Sequence, residues 1–134
     1  MTQQKALSYK HKHLHLWDDT LPSDRINLTA HNMEQKLKIV EQFDIVGTVT
    51  GISPIGNGLI NDTYRVPTAS PDTPDYILQR INHHIFKDVD LLQRNIQLVT
   101  DHIREKLTAA GEEDIERKVL RLIPARDDKL YYHN

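Results

Sequence analysis

No cysteine occurs in the 134 residues. Disulfides, thiolate metal sites and cysteine nucleophiles are therefore excluded, and the chain suits a reducing compartment. Aromatic residues are scarce at 6%, and apolar residues make up 38%, which is lean for a globule yet too apolar, at near charge balance, for disorder throughout. Some core is expected. Neither sign of charge prevails, because 17 Lys and Arg stand against 19 Asp and Glu for a net of -2. No summed field then draws the chain onto nucleic acid or an anionic membrane, and neither is expected as a partner. No apolar run approaches the roughly 20 residues of a membrane span. The opening MTQQKALSYKHKHLHLW lacks the apolar stretch and small-residue cleavage site of a secretion signal, so a cytoplasmic location is expected. The motifs H-E-x-x-H and G-x-S-x-G are absent as well. The length accommodates one domain or part of one.

Organisation changes near residue 33. The first 32 residues hold His11, His13, His15 and His31, scattered Leu and no sustained period, so residues 1–32 are expected to be a poorly ordered extension and residues 33–134 the folded portion. Met33 also offers an alternative start, which would make 1–32 an upstream extension of the reading frame. Asn32 with Gln35 three residues on has the form of a capping box, and Leu37, Val40 and Phe43 mark one helical face. A helix is expected over 33–42.

The stretch 45–66, IVGTVTGISPIGNGLINDTYRV, is rich in β-branched residues and carries Gly56-Asn57-Gly58 at its centre, the chemistry of a hairpin turn that needs positive φ. Pro54 has no N–H for a ladder, so the first strand belongs at an edge. PTASPDTPD must be a loop, with three Pro in nine residues. Tyr76 to Ile81 reads as a third strand, with Tyr76, Leu78 and Arg80 on one face and Ile77, Gln79 and Ile81 on the other. From Asp88, an N-cap, to Gly111, a stop, Val89, Leu92, Ile96, Val99, Ile103 and Leu107 form one apolar stripe at helical spacing. Further strands are expected at Lys118–Pro124 and Lys129–His133. Together these elements predict an α+β fold, a twisted antiparallel sheet with one long helix packed on it.

This order, with the text GNGLINDTYRV followed by YILQRIN, the helix FKDVDLLQRNIQLVTDHIREKL and the ending LRLIPARDDKLYYHN, resembles the small lobe of the aminoglycoside phosphotransferase and choline kinase superfamily. Within that superfamily it is most similar to bacterial N-acetylhexosamine 1-kinases, over residues 34–134. The resemblance implies the amino-terminal lobe of an ATP-dependent sugar kinase, truncated before its C-terminal lobe. Gly56, Asn57, Gly58 and Asn61 would contact the nucleotide phosphates and Arg80 would grip them. Leu78, Leu122 and Ile123 would line a slot for the base, although ordinary core is the plainer reading. The family's usual helix carboxylate for the basic residue has no clear counterpart here, where Asn95 and Ile96 stand about sixteen residues after Arg80. A catalytic base and the Mg²⁺ ligands are expected in the missing lobe. No catalytic or metal-ligating residue is therefore assigned, and the chain alone is expected to be inactive.

Two other classes compete with this one. A non-catalytic α+β interaction module would dock a partner on the helix stripe, and self-association through exposed apolar faces is expected if the second lobe is absent. A metal-binding protein would use His11, His13 and His15, which share one face of an extended chain. No fold-fixed fourth ligand is evident for that triplet, so adventitious binding is the plainer reading of it. His83-His84 is read as a capping or solvated pair.

Overall fold

A computed structural model describes residues 11–17, 30–56, 62–82 and 84–133. Among them the elements run β1 (His11–Trp17), α1 (Ala30–Val40), β2 (Ser53–Pro54), β3 (Asp62–Val66), β4 (Asp75–Arg80), α2 (Val89–Ala109), α3 (Ile115–Lys118) and β5 (Tyr132–His133). The fold is α+β, with a five-stranded sheet in the order β2-β3-β4-β1-β5.

The sheet is mixed, which corrects the expectation of an antiparallel one. β2, β3 and β4 form an antiparallel meander, but β1 lies parallel to both β4 and β5. Residues 11–17 are thus an inner strand instead of part of a poorly ordered extension; residues 1–10 and 18–29 lie outside the described residues. Alternation explains the ordering of this strand. Leu14 and Leu16 are buried on one face while His13 and His15 occupy the other, so one short run satisfies two ladders and fills the core. Pro54 sits where its missing N–H predicts, on the edge strand β2.

Lys118–Pro124 is not a regular strand. Lys118 closes the single turn α3, and the segment joins β1 through the backbone bonds His13 N–H to Arg121 O and Ile123 N–H to His13 O. Its Pro124 ends the donor row. The last expected strand shortens to Tyr132–His133.

One sheet face packs on α1. Leu14, Leu16, Val66, Tyr76 and Leu78 bury against Ile39, Val40 and Phe43 there, with Ile52, Ile123 and Ala125 closing the margins. The helix begins by Ala30, so Asn32 lies within it and does not cap it. The Tyr76 hydroxyl donates to Val46 O at 3.3 Å and accepts from Val46 N–H at 2.9 Å, which fixes the loop after α1. Gly47, in that loop at φ +97°, backs onto Thr73 so closely that a Cβ would lie 2.8 Å from its Oγ1.

The other face receives the start of α2. Asp88 caps this helix by accepting from Leu91 N–H at 2.9 Å, and Gly111 follows the last turn at φ +72°. Val89 packs on Ile81 and Tyr131, but the expected six-residue stripe is buried only at its beginning. Val99 and Ile103 remain 58% and 41% exposed. The reason is rotational. The line facing the body runs through Val89, Gln93, Gln97, Thr100 and Arg104, and the distal half is tied to the body by Arg104 N–H donation to Leu120 O at 3.2 Å, while Asp101 on the same helix orients that guanidinium at 3.0 Å. No helix among the described residues is long and apolar enough to cross a membrane.

Candidate functional site

The β2–β3 hairpin brings Asp62, the first residue of β3, beside the end of β4. Ile55 N–H donates to Thr63 O at 2.8 Å, and Gly56 turns the chain at φ +59°. A Cβ at Gly56 would meet nothing within 4 Å, so that glycine is required by the left-handed backbone alone. Asn57, Gly58 and Asn61, the other proposed phosphate contacts on this hairpin, lie outside the described residues.

Immediately after the loop, Asp62 pairs in register with Arg80. Their side chains form an ion pair at 3.4 Å, and both are largely shielded, at 16% exposure for Arg80 and 24% for Asp62. One step inward Tyr64 stands opposite Leu78, and from α1 the ammonium of Lys36 lies 5.1 Å from the centroid of the Tyr64 ring. Lys36 is only 7% exposed, a burial depth a lysine rarely reaches without compensation. Burial pushes the Tyr64 hydroxyl above its ordinary pKa and Asp62 adds to the rise, while Arg80 opposes it. Tyr64 is therefore a neutral donor and acceptor between two cations and one carboxylate. Asp62, Tyr64, Arg80 and Lys36 thus share a single sheet face, and Asp62 directly follows the β2–β3 turn.

The remaining expectations fall elsewhere. Leu78, Leu122 and Ile123 are buried core, and Leu78 is completely so; the plainer reading of them holds, and they open no slot on this face. Asn95 is exposed on α2. α2 packs on the opposite face of the sheet, so the carboxylate that accompanies Arg80 comes from β3 and not from the long helix.

That opposite face carries a second polar group. His15, 4% exposed, bonds through Nδ1 to Gln93 Oε1 at 2.9 Å, and its ring stands edge-on to His13 at a centroid distance of 6.3 Å. Burial lowers the His15 pKa from 6.5 to about 4, with the Gln93 bond opposing the shift, so the ring is neutral at pH 7. Among the described residues His15 Nε2 and Gln93 Nε2 have no hydrogen-bond partner. Among the described residues no group of three or more His, Cys, Asp or Glu is placed to hold a metal ion, and the His11 side chain is not among those described. His83 is likewise outside the described residues, while His84 N–H donates to Asn82 Oδ1 at 3.0 Å in a turn.

A third feature is an open cleft of about 520 Å³ between the 71–74 loop and α3, whose walls include Lys12, Asp72, Glu116 and Arg121. Two of its carboxylates are already paired: Arg121 forks onto Glu116, and Lys118 bonds Glu112 at its rim. Hydrogen bonding from Arg121 accordingly holds Glu116 below its ordinary pKa.

No family model matches the sequence. Of the residues gathered around Arg80, the sequence pattern had singled out Arg80 and the glycine turn only. Lys36 had a legible signal, a lysine three residues after Met33 and four before Val40 on the buried side of α1. Asp62 had none, because its pairing depends on the β3–β4 register.

Proposed function

We propose that this chain supplies the phosphate-gripping part of a nucleotide site in an ATP-dependent small-molecule phosphotransferase, of the N-acetylhexosamine kinase type that its sequence resembles. The observation that carries the proposal is the convergence of Arg80 and Lys36 on one sheet face beside the glycine hairpin, with Asp62 orienting the guanidinium. A planar guanidinium matches two phosphate oxygens at once, and a nearby ammonium adds attraction for a polyanionic tail. Glycine at position 56 lets the hairpin turn at positive φ beside this group. The reading is confined to the phosphates, because Leu78 is sealed in the core and offers the base no contact. Mg²⁺ chemistry and the catalytic base belong, in such enzymes, to a second lobe, and no step is assigned to them here.

Isothermal titration of the chain with ATP tests the proposal. Weak saturable binding in the millimolar range is expected, competed by tripolyphosphate and lost in Arg80→Ala. Adenosine binding as well as ATP, or ATP binding unchanged in Arg80→Ala, would overturn it. An alternative reading, a non-catalytic interaction module, is favoured by the apolar residues left exposed along α2.

A further inference from the structure

Four of the largest exposed apolar side chains lie on one helix. Leu91, Leu98, Val99 and Ile103 of α2 are 53%, 60%, 58% and 41% exposed; at about 100° per residue Leu91 and Leu98 lie opposite the line through Val89 and Gln93 that meets the sheet, while Val99 and Ile103 lie to one side of it. Arg94, Asn95, His102, Glu105 and Lys106 share that outer side and are exposed too. Arg94 and Glu105 enter no ion pair among the described residues.

The arrangement of these residues has a two-fold symmetry. At about 100° and 1.5 Å per residue, Asn95 and His102 fall on the midline of the outer side. Leu98 and Val99 flank its centre, and Arg94 and Glu105 lie along one margin. When a second α2 is laid antiparallel about an axis between Leu98 and Val99, each margin meets itself in reverse. Leu98 then meets Leu98 of the second copy and Val99 meets Val99. Asn95 comes level with His102, an amide opposite an imidazole. Arg94 comes within about 3 Å of axial level with Glu105 of the second copy, a cation opposite an anion, and the symmetry forms that pair twice. Apolar meets apolar, hydrogen-bonding group meets hydrogen-bonding group, and charge meets opposite charge.

We propose that α2 is a self-docking surface through which two copies of this chain associate, antiparallel and two-fold, centred on Leu98 and Val99. A second copy is the occupant that this complementarity selects, since an unrelated partner would require no relation between the two halves of the helix. The inference stands independently of the nucleotide reading. A 21-residue helix is about 31 Å long, and one helix pair covers less than the roughly 1,600 Å² of a standard interface. The dimer is therefore weak and exchanges with monomer.

Sedimentation equilibrium of the full chain, over about 1 to 200 μM to bracket a micromolar Kd, is expected to show reversible monomer and dimer. Arg94→Glu should weaken the dimer about tenfold or more at low salt, and Arg94→Glu with Glu105→Arg should restore it. Because the chain has no cysteine, a direct geometric check is also open. Leu98→Cys should cross-link to itself under mild oxidation, while Ile85→Cys, at a similarly exposed apolar position off the helix, should not. A monomer throughout, a dimer indifferent to the charge reversal and its swap, or equal cross-linking at both cysteines would overturn the proposal.

Discussion

His15 makes the stability of this fold depend on pH in a defined window. Its ring is buried between β1 and α2, and its folded pKa is about 4 against 6.5 for an ordinary histidine. Around it β1 presents His13, the neighbouring strand β4 presents Gln79, α2 presents Gln93, and the Tyr131 hydroxyl donates to Asp90 at 3.0 Å at the same end of the helix. A lowered folded pKa means that the unfolded chain binds the proton first. The contribution is thus complete above pH 6.5 and is lost as the pH falls from 6.5 toward 4. At about 1.4 kcal/mol per unit, the full loss is about 3 kcal/mol, and about 2 kcal/mol of it has gone by pH 5. Against the 5 to 15 kcal/mol typical of a domain, that is a large fraction. Urea unfolding at pH 7 and pH 5, followed through the single tryptophan at position 17 in β1, measures it. The comparison is a His15→Leu, Gln93→Leu double variant, which removes the proton site and its hydrogen-bond partner together and so leaves no orphaned amide. Wild type should lose about 2 kcal/mol between the two pH values, and the double variant should lose much less. Glu116 does not confuse the window, since a carboxylate held low by Arg121 gives up its contribution below the ordinary carboxylate range. An equal loss in both proteins would refute the reasoning.

Two further predictions concern packing. Leu14→Ala should cost about 2 to 5 kcal/mol in chemical denaturation, as a fully buried leucine on an inner strand does; a loss near zero would mean that residues 11–17 are not part of the core. Gly47→Ala should cost about 1 to 3 kcal/mol, from its positive φ and the Thr73 contact. Gly51→Ala, where a Cβ meets nothing within 4 Å, should be near neutral in the same melts.

Local chemistry made several elements readable in advance. The α2 boundaries follow from Asp88 and Gly111, because an N-cap oxygen and a left-handed terminal glycine act within one turn and need no distant residue. The placement of β2 at an edge follows from Pro54, and β4 follows from the short apolar run Tyr76-Ile77-Leu78, which buries both faces of an inner strand. Arg80 was identifiable as the cation on the face of Tyr76 and Leu78. Tertiary structure decided the rest, since it depends on which surfaces meet. His11 to Trp17 carries an alternation that is weak as a local signal, because histidine serves equally well in a loop, and it becomes a strand only when β4 and β5 offer it ladders on both sides. The apolar stripe of α2 has a helical period that says a face exists without saying which partner covers it. Rotation about Gln93 and Arg104 buries a polar line and leaves leucine and valine outside. The company of Arg80 was likewise settled by register. One residue of slip between β3 and β4 would send Asp62 to the other face, so an ion pair 18 positions apart in sequence exists only because the sheet aligned them.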